Sequence, residues 1–248
     1  MPDITVSDES GIALVRLTKP PANAFDPDLL AEGLRVASEL RQAEPDAVVF
    51  TGQDRFFSGG LDLNSFPALP VEDQRDMVHR ANWLIAFWYG FPRPIVTAIN
   101  GHAVAGGLIL ALCGDLRLAV PGASLGLPEV KVGIPYPVAA IGVVKAEVPR
   151  KLIRRFVLGG ELVEPPEALE AGLVDEVLSA DALLERALER ARDLASHPRK
   201  AYETIKRQLR GSVLDAITAT ASRDPLADDW MGSDRVPASA AALRRDGP

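Results

Sequence analysis

The chain has 248 residues, of which 47% are hydrophobic and 25% charged, proportions that argue against an intrinsically disordered protein. With 34 acidic and 27 basic residues the net charge is −7, so the chain lacks the basic surface by which proteins bind nucleic acids. Cys113 is the single cysteine, which excludes an intrachain disulfide and a cysteine-based zinc site.

The N-terminal sequence MPDITVSDESG contains no hydrophobic signal core, and no apolar run approaches the ~18 residues that cross a bilayer. We therefore expect a protein without a membrane partner, located in the cytoplasm. Cys113 lies in an apolar run, so a role in core packing in a reducing compartment is expected.

Strands and helices are predicted to alternate along the first half of the chain. ITVS (4–7) and IALVRL (12–17) predict a hairpin that turns at Gly11. Asp26 and Pro27 are a typical N-cap and first residue for a helix. The apolar face of that helix would consist of Leu29, Leu30, Leu34, Ala37 and Leu40.

Three β-branched runs predict buried strands of one sheet, namely AVVFTG (47–52), IVTAI (95–99) and LRLAV (116–120). An amphipathic helix from about Glu72 to Tyr89 lies between the first two, with Trp83 and Trp88 expected in the core or in a pocket wall. This alternation is typical of an α/β sheet with right-handed crossovers.

Helices dominate the second half of the chain. VAAIGVVKAEV (138–148), RKLIRRFVLGG (150–160) and PPEALEAG (165–172) predict helices, and VDEVLS (174–179) predicts a closing strand. From Asp181 to Leu209 the pattern is helical, with a break near His197 and Pro198. We therefore expect a core over residues 1–195 and a C-terminal helical segment over 196–248.

Two glycine loops, FFSGGLDL (56–63) and AVAGGLIL (103–110), have parallel patterns. In each, a predicted strand runs into a glycine pair and then into the expected start of an apolar helix. Both loops would present free N–H groups at one edge of the sheet, an arrangement suited to a developing oxyanion. Neither has the spacing of a P-loop or of GxGxxG, which disfavours nucleotide phosphates.

Four segments, one of which contains the second loop, follow a recognisable order together with the first loop. They are PANAF (21–25), PIVTAINGHAVAGGLILALCGDLRLA (94–119), SLGLPEVKVGI (124–134) and LGGELVEPPEALEAGLVDEVL (158–178). Over most of its first 200 residues the chain resembles the crotonase, or enoyl-CoA hydratase/isomerase, superfamily. The resemblance implies an α/β fold, a crotonase-like spiral of β/β/α units with a C-terminal helical trimerisation segment. It also implies an acyl-CoA substrate and a homotrimer or hexamer (a dimer of trimers). CoA would enter as part of the substrate, and neither a separate cofactor nor a metal is expected.

The resemblance assigns roles to individual residues. The backbone N–H groups of Leu61 and Gly106 would bind the thioester oxyanion, and Glu129, in an apolar segment, would transfer protons with a raised pKa. Asp62 is expected to hydrogen-bond its own loop rather than act as a base, and His102 to be structural. The residues expected to contact the substrate or CoA are Ala22, Ala24, Phe25, Gly60, Asp62, Leu63, Gly107 and Tyr136.

One catalytic acid of the family is missing. Hydratases of the family resemble one another in having two glutamates, and the first falls here on Ile109. Since one base suffices to move a double bond, the pattern is similar to that of Δ3,Δ2-enoyl-CoA isomerases. A dienoyl isomerase would need an aspartate where Pro137 stands. A hydratase, a thioesterase or decarboxylase, and a non-catalytic acyl-CoA binder remain alternatives.

Basic residues that the family often uses for the CoA phosphates are replaced here by Pro20 and Asn64. Contacts to those phosphates are therefore expected from Lys19, from Arg55 or from a neighbouring chain, or else the affinity for CoA is expected to be weak.

Overall fold

The computed structural model describes residues 2–227, apart from the side chain of Pro67, so residues 228–248 of the predicted C-terminal segment lie outside the described residues. The strands are β1 Ile4–Asp8, β2 Ile12–Leu17, β3 Ala47–Thr51, β4 Phe56–Ser58, β5 Ile95–Ile99, β6 His102–Val104, β7 Leu116–Ala119, β8 Leu125–Gly126, β9 Leu162–Val163 and β10 Glu176–Val177. The α-helices are α1 Pro27–Ala43, α2 Val71–Tyr89, α3 Gly106–Ala111, α4 Val138–Glu147, α5 Arg150–Val157, α6 Pro165–Ala171, α7 Ala180–Ala195 and α8 Arg199–Thr220. Short 3₁₀ turns occur at Phe66–Ala68, Pro128–Val132, Ala221–Arg223 and Pro225–Ala227. Within residues 2–227, no helix is both long and apolar enough to cross a bilayer.

The main sheet has six strands in the order β1-β2-β3-β5-β7-β10. Only the β1–β2 hairpin is antiparallel, and β3, β5 and β7 lie side by side as predicted. Helices α1 and α2 pack over one face, and the other face meets α7 through Leu183, Ala187 and Ala191. Because both faces are covered, the central strands are continuous apolar runs rather than alternating ones.

A second sheet of four short strands, in the order β4-β6-β8-β9, lies beside the first. The chain repeats one unit three times: a strand in the main sheet, a strand in the small sheet, then a helix, as in β3–β4–α2, β5–β6–α3 and β7–β8–α4. This arrangement confirms the expected β/β/α units. Strands β4 and β6 are parallel neighbours, so the glycine pairs that follow them emerge at the same edge.

The first glycine loop does not start an α-helix, contrary to the prediction. After Gly60 the chain forms a turn in which the Asp62 carboxylate accepts hydrogen bonds from Asn64 N at 2.9 Å and Ser65 Oγ at 2.6 Å. Such local side-chain bonds compete with helix formation, and α2 begins only at Val71. The second loop enters α3 directly, as predicted.

The helix predictions hold at α1 and in part at α2. Asp26 Oδ1 accepts a hydrogen bond from Leu29 N at 2.9 Å, which caps α1 as expected. Trp88 is buried edge-on against Phe50, with ring centroids 4.6 Å apart. The core assignment of Trp83 is wrong because this side chain is 44% exposed. One residue along a helix turns the side chain by roughly 100°, which takes Trp83 away from the face that carries Leu84.

Helices α7 and α8 are separated near Pro198 as predicted, and α8 continues past Leu209 to Thr220. Helix α8 packs against α2 and α4 of the same chain. The division between residues 195 and 196 stays a prediction.

Two buried cations attach α8 to the rest of the molecule. Lys206 Nζ lies 2.7 Å from Asp115 Oδ2, and Arg210 Nη2 lies 3.2 Å from Asp115 Oδ1. Arg210 also donates to the carbonyl oxygens of Cys113 at 2.9 Å and Gly114 at 3.0 Å. These bonds join α8 to the segment that immediately follows α3.

We expect Arg210→Ala to lower the free energy of unfolding by about 3–5 kcal/mol, because it removes one of the two buried cations beside Asp115 and leaves the carbonyls of Cys113 and Gly114 without their buried donor. Arg207→Ala, on the exposed side of the same helix, should change stability by less than about 0.5 kcal/mol. Chemical denaturation of both variants tests this, and equal losses would contradict the anchoring role of Arg210.

Candidate active site

A cavity of about 370 Å³ opens between the two glycine loops, α2 and the 3₁₀ turn that carries Glu129. Nine of the predicted site residues line it: Ala22, Ala24, Phe25, Leu61, Asp62, Leu63, Gly106, Glu129 and Tyr136. The structure therefore brings together residues from four separate segments of the sequence. Gly60 and Gly107, which were predicted to contact the substrate, lie outside the cavity wall.

Gly60 and Gly107 instead allow the two loops to pack closely. A Cβ on Gly60, whose φ is +79°, would lie 2.7 Å from Gly106 N and 2.9 Å from Val104 O. A Cβ on Gly107 would lie 2.1 Å from Ser58 O. In the structure these two glycines contact the neighbouring loop, and their contact with a substrate stays a prediction.

The donor groups of the cavity are fixed by backbone hydrogen bonds around Leu61. Phe25 N donates to Gly60 O at 2.7 Å, and Asp62 N donates to Phe25 O at 2.9 Å. Gly106 is the first residue of α3, where helical N–H groups have no intrahelical acceptor. No acceptor among the described residues receives the N–H of Leu61 or Gly106. Two free donors at the wall of one cavity would suit an oxyanion, and this role of Leu61 and Gly106 stays a prediction.

Two buried polar residues that the sequence reasoning missed hold this loop in place. Asn23 Nδ2 donates to Phe57 O at 3.0 Å, and Ser58 Oγ donates to Asn23 O at 2.8 Å. Gly60 N in turn donates to Ser58 Oγ at 3.1 Å. In the sequence, these two residues are the asparagine of PANAF and the serine that precedes the first glycine pair. Only the fold shows that they are in contact.

Glu129 is the buried carboxylate of the site, with 7% of its surface exposed. Tyr136 Oη lies 2.9 Å from Glu129 Oε2 and donates its proton to it. Burial raises the pKa of Glu129 to about 7, against the partial lowering by hydrogen bonds. Burial beside Glu129 also raises the pKa of Tyr136 well above its usual range, so Tyr136 remains a donor. A carboxyl with this pKa can accept and return protons at neutral pH.

The other polar groups near the cavity have structural partners. Burial tends to raise the pKa of Asp62, but hydrogen bonds from Ser65 and Asn64 outweigh this effect and lower it. Asp62 therefore forms hydrogen bonds within its own turn, as expected. His102 Nδ1 accepts a hydrogen bond from Ser124 N at 3.0 Å, which agrees with the structural role expected for it.

The two expected phosphate ligands are placed differently. Lys19 lines the cavity but forms ion pairs with Asp3 at 2.6 Å and Asp26 at 2.7 Å. Arg55 is exposed and lies outside the cavity lining. Contact of either residue with CoA stays a prediction.

Ile109 occupies the position of the missing acid. Its side chain is 3% exposed and lines the same cavity as Glu129. In the part of the chain that the structure describes, no group of three or more His, Cys, Asp or Glu side chains could hold a metal ion.

Comparisons with known proteins find relatives over most of the chain. A family model described as enoyl-CoA hydratase/isomerase matches residues 7–225. The chain is 33% identical to the 2,3-dehydroadipyl-CoA hydratase of Escherichia coli K12 over 228 residues, which are 88% of this chain and 86% of the relative. It is also 33% identical to a probable enoyl-CoA hydratase of Bacillus subtilis over 78% of this chain and 74% of that protein.

Solved structures have the same fold. A probable enoyl-CoA hydratase from Mycobacterium tuberculosis H37Rv superposes with a TM-score of 0.84 at 28% identity, over 89% of this chain and 93% of that one. An enoyl-CoA hydratase/isomerase family protein from a Pseudomonas species gives a TM-score of 0.85 at 28% identity, over 92% and 98% of the two chains. These similarities confirm the predicted fold class.

We expect Gly60→Ala to destabilise the protein more than Gly122→Ala, a matched control. Both glycines have nearly the same φ, +79° and +78°, but a Cβ at Gly122 would meet nothing within 4 Å. The control therefore isolates the cost of a left-handed alanine, about 1 kcal/mol. The clash with Gly106 should add roughly 1–3 kcal/mol, measured by chemical denaturation. Equal losses would argue against close packing of the loops.

We expect the free energy of unfolding of the Glu129→Gln variant, relative to that of the wild type, to increase as the pH rises. The folded-state pKa of about 7 lies above the usual 4.5, so the wild type loses stability between these values, because the unfolded state releases its proton first. Relative to the wild type, the variant should gain about 3 kcal/mol between about pH 4 and pH 8. Glu170→Gln, at an exposed position, is the control. A pH-independent difference for Glu129→Gln in denaturant titrations would contradict the burial argument.

Proposed function

The chain belongs to the enoyl-CoA hydratase/isomerase family of acyl-CoA enzymes, and we propose that it moves the double bond of a 3-enoyl-CoA to the 2,3 position. The observation that carries the proposal is that Glu129 lines a cavity together with Ile109, an apolar residue. Of the two carboxylates among the described lining residues, Asp62 is bound by its own turn. Glu129 is then the carboxylate that remains to exchange protons with the acyl chain.

The proposed mechanism uses the two free N–H groups and one carboxylate. The thioester oxygen is bound by the N–H groups of Leu61 and Gly106, which stabilise the negative charge that develops there. Glu129 removes a proton from C2, and the C–H electron pair passes into a dienolate. The protonated Glu129 returns the proton to C4, so the double bond ends between C2 and C3 and no other reactant is consumed. A pKa of about 7 suits both transfers.

The cavity supports an uncharged acyl group. Its wall away from the glycine loops is formed by apolar side chains such as Met77, Ile85, Val132 and Ala140, and Lys19 is the one cation among the described lining residues. Lys19 already forms ion pairs with two carboxylates, so it would attract a third carboxylate on the substrate only weakly. A substrate carboxylate inside this wall would be desolvated without a counter-ion. We therefore propose an acyl chain without the terminal carboxylate that the dehydroadipyl group of the E. coli relative carries.

Hydration of a 2-enoyl-CoA is the second candidate. The names of the relatives that are 33% identical support it, and the Tyr136–Glu129 pair is able to hydrogen-bond a water molecule. Against it, a hydratase of this family type would use a second carboxylate at Ile109, where the side chain has no proton to give.

Self-association into a trimer or hexamer is also proposed. It is supported by the outer face of α8, where Ile205 and Leu209, one turn apart, are 63% and 78% exposed. Apolar side chains of this size on one helix face are typical of interaction surfaces.

The test is to supply the full-length protein separately with 3-hexenoyl-CoA and 2-hexenoyl-CoA and to identify the products by chromatography and mass. We expect 3-hexenoyl-CoA to become 2-hexenoyl-CoA, with slower water addition to either substrate. Glu129→Gln should lower kcat by at least about 10³-fold while acyl-CoA still binds, because the lost proton transfer is the chemical step.

Ile109→Glu tests the role of the missing acid, with Ile109→Gln as a control of similar size. Only the glutamate variant should gain hydration of 2-hexenoyl-CoA. Rapid water addition by the wild type without double-bond migration would instead support the hydratase, and an absence of turnover with retained binding would support a non-catalytic binder.

A further inference from the structure

We infer that Asp224 is a positioning residue for Glu129 and acts on it through Tyr136. The inference rests on the proposed function for the proton transfer by Glu129. Its basis is a chain of buried hydrogen bonds that runs from the segment after α8 to the wall of the cavity.

Asp224 is a buried carboxylate that the proposed mechanism does not use. It is 2% exposed and belongs to the short segment that follows α8. Its Oδ2 accepts hydrogen bonds from Val138 N at 2.8 Å and Asn82 Nδ2 at 2.9 Å. Its Oδ1 accepts one from Leu226 N at 3.0 Å. Both oxygens are therefore engaged.

These bonds cap the N-terminus of α4 from a distance. Pro137, at the N-cap position of α4, has no side-chain acceptor for the first N–H groups of the helix. Asp224 accepts the N–H of Val138, and Asn82 Oδ1 accepts that of Ala139 at 2.9 Å. A carboxylate at a helix N-terminus is also favoured by the helix dipole. The start of α4 is thus fixed to α2 and to the C-terminal segment.

The fixed helix start lies next to the partner of the base. Pro137 and Tyr136 immediately precede Val138, and both line the cavity. With the backbone held at Val138 and restricted at the prolines on either side of Tyr136, the ring has little freedom to move away from Glu129. Its hydroxyl donates to one carboxylate oxygen of Glu129, Oε2.

The pair has few other charged neighbours. The remaining titratable side chains among the described lining residues are Lys19 and Asp62, and each has its own partners. Near Asp224, His79 Nδ1 lies 3.3 Å from Ala221 O rather than on the carboxylate. Changes at Asp224 therefore reach Glu129 through the position of Tyr136 rather than through a new ion pair.

The experiment is a double-mutant cycle of Tyr136→Phe and Asp224→Asn, measured as kcat, KM and the acidic limb of the pH profile with 3-hexenoyl-CoA. The ionisation of Glu129 is followed separately, without substrate, by infrared difference spectra against Glu129→Gln. Val138→Pro is added because it deletes one N–H bonded to Asp224 at a helix position that favours proline. Asp215→Asn, on the exposed side of α8, is the control.

We expect Tyr136→Phe to lower kcat about tenfold and to move the titration of Glu129 upward by about one pH unit, because the carboxylate loses its donor. Asp224→Asn and Val138→Pro should move both quantities in the same direction by about threefold, with KM nearly unchanged. In the Tyr136→Phe background Asp224→Asn should change kcat by less than about 1.5-fold, although it still lowers Tm.

Equal factors for Asp224→Asn in both backgrounds, or an unmoved titration of Glu129, would overturn the inference and leave Asp224 as a helix cap alone. If Asp224→Asn does not fold, Val138→Pro gives the same cycle. A wild type without turnover whose Glu129 titration still follows these variants would refute the proposed function but retain the positioning role.

Discussion

The site depends on the contact between Gly60 and Gly106, where two loops from different β/β/α units approach more closely than side chains would permit. A Cβ at Gly60 would lie 2.7 Å from Gly106 N, so the separation of the two donors is set by backbone against backbone. Such a contact has little freedom to adjust, which is the property that electrostatic stabilisation of a transient charge requires. The second sheet makes this contact possible, because β4 and β6 are each only three residues long but end side by side.

The raised pKa of Glu129 has a different origin, because apolar side chains exclude water from its carboxyl group. Burial raises the pKa of Glu129 to about 7, and the Tyr136 hydroxyl limits the shift by donating to one oxygen. Ile109, which lines the same cavity, adds to its apolar surface. A carboxylate at this position would instead supply a proton donor and a negative charge that opposes the ionisation of Glu129.

The sequence predicted those parts of the fold that have a strong local signal. The strands at 47–52, 95–99 and 116–120 and the cap at Asp26 were found because β-branched runs and capping residues act over a few neighbours. The small sheet was missed because strands of two or three residues have no periodicity to detect. The helix expected after Gly60 was wrong because the hydrogen bonds of Asp62 to its own turn, which were themselves expected, hold that turn, and α2 begins only at Val71. Asn23, Ser58 and Asp224 were missed for another reason. Their partners lie far away in sequence, so their burial follows only from the tertiary fold.

Contacts with residues that are distant in sequence also hold both ends of α3. A helix of six residues is too short to be stable alone, yet its N-terminus must keep Gly106 N–H fixed at the cavity. At that end Gly107 packs against the carbonyl oxygen of Ser58. Just beyond the other end, Arg210 of α8 donates to the carbonyls of Cys113 and Gly114, where a cation also complements the helix dipole. Helix α8 and Asp224 thus act on the site from outside the cavity lining of the described residues: α8 holds the end of the helix that begins at Gly106, and Asp224 holds the start of α4 beside Tyr136. The geometry of the cavity wall therefore depends on residues well beyond Ala140, the last of the described residues that line it.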